Sequence, residues 1–281
     1  LSSIYGGFEE ILYTSSAIGA GETATPVAIT TRLNPILDPG NINIRGTGKR
    51  GLYDILLGMR QIQFNIDILP SVMSFIGDYQ DGQTEIPYLH YKNIRTGTGL
   101  TFLNVVFNRV SVESRHNAAI QATIEMWADD LTALATMGTW TALASVVTPY
   151  RWLYSALTIA TVPELAWWSW RYEVNNNLQR LGNVQTGAIR DIKARQRDVS
   201  GLIVKDLASF SEWTDLMVVA PGAEEAKFNI TITINGEDGP GSGASFNLLD
   251  QDACRWGRIE GPTGPEDLQA KRFPFTAIDL T

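Results

Sequence analysis

At 281 residues, with 44% hydrophobic and 19% charged side chains, the chain has enough apolar material for a folded core and is not composed like a disordered segment. Its net charge of −8, with no basic stripe, makes it a poor match for gripping nucleic acid, which runs on Lys and Arg. One cysteine excludes an internal disulfide framework and a cysteine-based zinc cluster, and no run of about 18 uncharged apolar residues is there to span a bilayer.

Residues 1–40 are rich in Gly, Ser and Thr and punctuated by Pro26, Pro35 and Pro39, which predicts an extended arm with at most one short strand. The arm shows no secretory signal, and it begins at Leu1 without an initiator methionine, so a processed or trimmed start is expected. Ile42 and Ile44, between Asn41, Asn43 and Arg45, predict a short strand. Residues 61–68 then alternate without a fault, Gln61, Gln63, Asn65 and Asp67 against Ile62, Phe64, Ile66 and Ile68, the pattern of a strand with one buried and one wet face. After Pro70, the residues Val72, Phe75 and Ile76 predict a short amphipathic helix over 71–77, with Gly77 near its end. Residues 100–113 carry two phases, Leu103, Val105 and Phe107 on one parity and Val110 and Val112 on the other. A bulge at Asn108-Arg109 reconciles them. Arg115-His116-Asn117 turns the chain into a return strand carrying Ile120, Ala122, Ile124 and Met126, completing a long antiparallel hairpin.

Residues 132–166 join the halves and yield no clear element, since Pro149 and Pro163 limit any helix. Trp168, Trp170, Tyr172 and Val174 next alternate with polar residues, predicting a strand with an aromatic face. Residues 188–207 follow the pattern of 51–69 at a displacement of 137. Phe210, Trp213, Leu216 and Met217 fall at helical spacing, and Ser209 with Glu212 forms a capping box, which predicts a short helix over 209–219. Phe228, Ile230, Ile232 and Ile234 mark another clean strand, with a glycine-rich hairpin tip at 236–243. The closing strand over 269–280 ends, like 120–131, on a small residue, an acid and a leucine. The second half offers no legible counterpart to the strand at 100–113.

The expected fold is mainly β. It consists of an arm (1–40), a first β domain (41–131), a connecting segment (132–166) and a second β domain (167–281), each domain with one short helix. A duplicated module suits a ring, an array or a pseudo-symmetric shell more than it suits a single catalytic pocket.

Motifs that carry chemistry are weak. Residues 46–51 satisfy G-x-G-x-x-G, but the half-buried strands that follow suit antiparallel sheets and not a dinucleotide-binding unit. His90 and His116 sit in predicted loops or turns with no spacing that favours a triad with Cys254. The pairs Glu9-Glu10, Asp129-Asp130 and Glu224-Glu225 point apart if on strands, which argues against a glycosidase pair. Asn229-Ile230-Thr231 is a sequon inside a strand. The eight tryptophans raise a sugar-binding alternative, although Trp127, Trp168, Trp170 and Trp213 stand where parity or helical spacing expects core or interface. No catalytic residue, cofactor or metal is expected.

Taken together, the arm, the paired openings at 52–68 and 189–207, the short helices after them and the closing strands at 120–131 and 269–280 resemble the two-domain tail tube proteins of long-tailed bacterial and archaeal viruses. The resemblance implies β-sandwich or barrel domains, six to a ring, hence trimeric rings that stack into a tube. It implies contacts with a tape-measure protein and tail-end proteins, viral DNA only as a transient passenger, assembly in the host cytoplasm and residence in the virion tail. The alternatives are another virion β-protein (tail-completion, baseplate or capsid-associated) or a sugar-binding β module. Candidate lumen-facing residues are Gln61, Gln63, Asn65, Asp67, Asn229, Thr231 and Thr233, whose pattern equally suits a plain outer surface.

Overall fold

Side chains that alternate at a period of two need partner strands to complete their apolar face, and the computed structural model of the chain supplies them by antiparallel pairing throughout. It describes residues 9–14, 25–38, 41–44, 54–57, 61–93, 99–134, 148–182, 189–206, 227–237, 239–243, 245–257 and 270–277. In chain order the strands are β1 (Glu9–Thr14), β2 (Thr25–Asp38), β3 (Asn41–Ile44), β4 (Asp54–Leu57), β5 (Gln61–Pro70), β6 (Ile86–Asn93), β7 (Gly99–Arg115), β8 (Gln121–Ala128) and β9 (Asp130–Leu134). There follow β10 (Ser155–Ile159), β11 (Val162–Glu164), β12 (Trp167–Asn175), β13 (Gln179–Gly182), β14 (Ile189–Lys193), β15 (Asp198–Asp206), β16 (Phe228–Asn235), β17 (Ser245–Trp256) and β18 (Ala270–Ala277). The protein is mainly β, and the α-helix α1 (Ser74–Gly77) is a single turn. It starts later than the predicted 71–77 because the Ser71 and Val72 amides both donate to the Val27 carbonyl on β2, at 3.1 and 3.3 Å. The helix predicted over 209–219 and the glycine motif at 46–51 lie outside the described residues. No helix among the described residues is long and apolar enough to cross a membrane.

Both halves carry one connectivity. The hydrogen-bonded order is β2-β5-β8-β7-β6 in the first half and β12-β15-β18-β17-β16 in the second. A small separate hairpin interrupts each at the same place, β3-β4 and β13-β14. The registers agree as well. Asp38 opposite Gln61 becomes Asn175 opposite Asp198, displaced by 137 on both strands, and the pairing slips at the same point, between Thr30 and Arg32 in β2 and between Trp167 and Ser169 in β12. Phe107 opposite Met126 becomes Trp256 opposite Phe275, displaced by 149 on both strands. The same displacement relates two non-glycine residues with left-handed backbones, Asn104 (φ 49°) and Ala253 (φ 57°). β17 is therefore the counterpart of the strand at 100–113, and the bulge predicted at Asn108-Arg109 falls where β7 slips against β8, between Phe107 and Arg109. In the first half β1 joins β6 to β2, so the pairings close into the circuit β2-β5-β8-β7-β6-β1. In the second half β10 and β11, drawn from the connecting segment, extend the sheet outward from β16.

The halves meet where β7 runs past β6 and pairs with β12, Arg109 opposite Asn175 through Arg115 opposite Ser169. One register line then crosses nine strands from β2 to β16. Leu33, Ile66, Ile124, Val110, Val174, Val199, Ala277, Cys254 and Phe228 lie opposite one another in succession, and all are apolar. Their buried members belong to a single core that draws on both halves. Packing differs between the repeats. In the first, Phe64 faces Met126 and stacks on Phe102 with ring centroids 4.0 Å apart. In the second, Gly201 faces Phe275, whose ring fills the space over the glycine.

Polar groups pin the halves together inside this core. Gln80, just after α1, donates from Nε2 to the Leu248 carbonyl (2.7 Å) and accepts from the Tyr172 hydroxyl (3.1 Å). Asn176 Nδ2 donates to the carbonyls of Gln80 (3.0 Å) and Phe107 (2.8 Å). Tyr150 donates from its hydroxyl to the Gly236 carbonyl at 2.6 Å, and its own carbonyl accepts from the Ile120 amide at 2.8 Å.

Three sequence expectations need correction. Residues 1–40 are not an arm with at most one short strand: they hold β1 and the 14-residue β2, which pairs with β5 as β12 pairs with β15 and buries Val27 and Ala28 in the core. Trp168 does not share the aromatic face of Trp170 and Tyr172. The slip between Trp167 and Ser169 turns it outward, 42% exposed, where its Nε1 donates to Asp206 Oδ1 at 2.8 Å. His90 is not in a loop but buried in β6, with Nδ1 2.8 Å from Thr101 Oγ1 on the neighbouring strand. His116 does lie in a turn, as expected.

A Cβ at position 201 would overlap the Phe275 ring and the Arg171 carbonyl oxygen, so Gly201→Ala is expected to cost about 1–3 kcal/mol in urea unfolding. Its effect should shrink when Phe275→Leu is already present. Gln80→Leu strands the Leu248 carbonyl and the Tyr172 hydroxyl, and is expected to cost about 2–4 kcal/mol. With Tyr172→Phe in the background, the added loss from Gln80→Leu should be smaller, because one stranded group has gone.

Candidate functional site

On β5, Gln61, Gln63, Asn65 and Asp67 are half-buried and stand between the buried Ile62, Phe64, Ile66 and Ile68. On β16, Thr231 and Thr233 are half-buried between Ile230, Ile232 and Ile234 in the same way, and Asn229, on the same face, is exposed. The pairing register puts both sets on one face of one sheet. Asp67, Thr123, Ser111, Glu173, Ser200, Thr276 and Arg255 lie opposite one another from β5 to β17, and none of them is buried. Farther along β17 the same face carries Asp250, opposite Thr231. The two candidate sets share this face without touching, separated by six intervening strands of the sheet order, from β8 to β17.

Side chains on the face bond across strands. Thr123 donates to Asp67 Oδ1 (2.8 Å), Thr231 to Asp250 Oδ1 (2.9 Å), and Thr233 Oγ1 lies 3.2 Å from Asn247 Oδ1. Glu125 Oε1 accepts from Gln63 Nε2 (3.1 Å), Asn108 Nδ2 (2.9 Å) and Trp127 Nε1 (3.1 Å). Arg180, from the β13-β14 hairpin, lies over the Trp127 ring, 3.8 Å from its centroid, and donates to Gln61 Oε1 at 2.9 Å. Burial lowers the Arg180 guanidinium pKa, and the charge of Glu125 works against that shift.

At the junction of the halves the face dips into a basin of about 410 Å³ between β5, β8, β7 and β12. Its rim is an ion-pair network: Arg109 reaches Glu173 at 2.7 Å, and Arg171 reaches Glu173 at 3.7 Å and Ser111 Oγ at 3.1 Å. The hydrogen bond that Arg109 donates to Glu173 raises the Arg109 pKa. Asn65, in the wall of the basin, has a buried Oδ1 that accepts no hydrogen bond from the described residues. The basin is polar, its cations are tied to carboxylates, and it can offer donors and acceptors to a hydrated surface.

Sequence reasoning found the β5 and β16 rows but missed Arg109, Glu125, Arg171 and Glu173. The signal was present: once the bulge at Asn108-Arg109 is accepted, their parity in β7, β8 and β12 sets them on the same face as Asn65. Cys254 is buried, and burial pushes its thiol up to about 11, so it carries no thiolate at neutral pH.

No protein-family model matches the chain, and no curated protein does.

Asp129, between β8 and β9, has its pKa raised, first by burial and then by the nearby Asp191 and Asp130, against a hydrogen bond from Asn104 Nδ2 at 3.1 Å. A carboxyl whose pKa is higher folded than unfolded stabilises the fold while protonated, and that stability is lost as pH rises through the folded value. Asp129→Asn is therefore expected to flatten the fall in thermal midpoint between acid and neutral pH. It should leave the variant at least as stable as the parent at pH 7.

Proposed function

We propose that this chain is a structural subunit that self-associates into stacked rings, forming the hollow tail tube of a tailed virus. The observation that supports it most is the duplicated module, matched strand for strand and register for register. The resemblance supplies the tube, the trimeric ring, the tape-measure and tail-end partners, and the DNA passage.

Two further features suit this role. A polar line from Asp67 to Arg255 crosses both modules, as suits a luminal wall, and on this face Arg109 and Arg171 share Glu173 while Arg180 donates to Gln61 and lies over the Trp127 ring. Cations already held by a carboxylate, as Arg109 and Arg171 are, contribute less to gripping a duplex by counterion release. The register also sets a size. Val174 continues the line from Leu33, whereas the position equivalent to Leu33 in β12 is Trp170, so each module steps the line by four residues over four strands. Three copies give a wall of about 24 strands with a shear of about 24, and equal strand number and shear correspond to a tilt of about 36°. At about 4.8 Å per strand, such a wall measures about 45 Å across, backbone to backbone, wide enough for a DNA duplex.

Electron microscopy of the purified chain at rising concentration tests this reading. Rings or tubes with six similar lobes and a central channel are expected. A monodisperse monomer at high concentration, or a closed dimer without a channel, would overturn it.

A further inference from the structure

Where the β7–β8 hairpin turns and β12 begins, aromatic side chains gather at the surface. The His116 ring lies 4.3 Å from that of Trp152 and 5.8 Å from that of Trp168, and Trp152 meets Trp167 edge-on at 6.1 Å. Backbone bonds hold the cluster: the His116 amide donates to the Trp168 carbonyl at 2.8 Å, and the Trp152 amide to the Ala118 carbonyl at 3.0 Å. Leu153, next to Trp152, is 70% exposed, and Leu165, two residues before Trp167, is 91% exposed. Arg151, on the other side of Trp152, is exposed too, and its guanidinium pairs with no carboxylate among the described residues. Exposed tryptophan beside an unpaired arginine is the composition of a protein-binding patch, not of an ordinary hydrated surface.

The far end of the same hairpin has the opposite character. β8 ends at Ala128, and Asp129 and Asp130 follow it, beside Asp191 of the β13-β14 hairpin, whose Ile192 packs with Val106 and Trp127. The three carboxylates crowd closely enough that Asp191 and Asp130 add to burial in raising the Asp129 pKa, while Lys193 offsets only Asp191, at 2.8 Å. The eight residues of β8 hold the two clusters about 25 Å apart, so an arginine without a carboxylate and carboxylates in excess can meet only between copies. We propose that the Arg151–Trp168 patch is the axial docking surface for a second copy of this chain, seated end to end on that copy's Asp129–Asp130–Asp191 cluster. This inference rests on the self-association proposed above and names the surfaces through which ring stands on ring. Two different surfaces meet along the strand direction, so the contact repeats without closing, as a stacked tube requires.

Charge reversal at exposed positions reads this contact in the full chain. Arg151→Glu is expected to leave single rings intact while raising the concentration needed for stacking about tenfold or more, because like charges then face each other. Trp168→Ser should act in the same direction. Asp130→Arg alone should also block stacking, and Asp130→Arg combined with Arg151→Glu in one chain should restore it. Electron microscopy separates rings from tubes, and sedimentation of the assembled fraction gives the concentration. If the parent stacks and Arg151→Glu stacks as readily, or if the paired reversal is no better than the single ones, the axial contact is wrong while the tube reading stands. Loss of the rings themselves in folded Arg151→Glu chains would overturn it as well, since the surface would then be lateral. Parent rings that never stack overturn the contact, and a parent chain that never associates overturns both.

Discussion

The architecture depends on side-chain parity being conserved across hydrogen-bonded strands. A residue and its cross-strand partner point to the same face, so one correct register fixes inside and outside for every strand it reaches. Here that logic crosses from β2 to β16, with an apolar line through Ile66 and Val174 and a polar line through Asp67 and Glu173 in adjacent positions. A slip of one residue at the β7–β12 junction would turn the whole second half inside out. The Arg109–Glu173 ion pair and the Arg171–Ser111 hydrogen bond cross that junction and favour the observed alignment.

The repeats have kept geometry while exchanging side chains. Where Phe64 faces Met126 in the first module, Gly201 faces Phe275 in the second, at the same register positions. Pairing depends on backbone groups common to all residues except proline, whereas packing needs only matched volume and shape. Register is therefore the more durable record of duplication, and side-chain identity the less durable one.

Legibility from sequence followed the same division. Strands with strict alternation, such as 61–68 and 228–235, were readable, and so was the bulge at Asn108-Arg109, because a phase change between two clean runs needs one. β17 was not readable: its buried residues include the adjacent pairs Leu248-Leu249 and Ala253-Cys254, and slips against β16 and the left-handed Ala253 erase the period. Leu89 and His90, both buried side by side in β6, hid that strand in the same way. Trp168 was misplaced because the slip beside it changes which face it occupies. The polar rows of the candidate face were visible singly. Their union into one surface needed the pairings, which join residues more than a hundred positions apart.

The buried amide of Gln80 has a mechanical consequence. It joins a loop of the first module to β17 and β12 of the second, and Asn176 locks the same loop to β7. Hinging between the modules would tear these bonds inside an apolar interior, where no water replaces them. The two modules therefore move as one stiff unit, and strain applied to the chain is passed across the β7–β12 junction without being absorbed there.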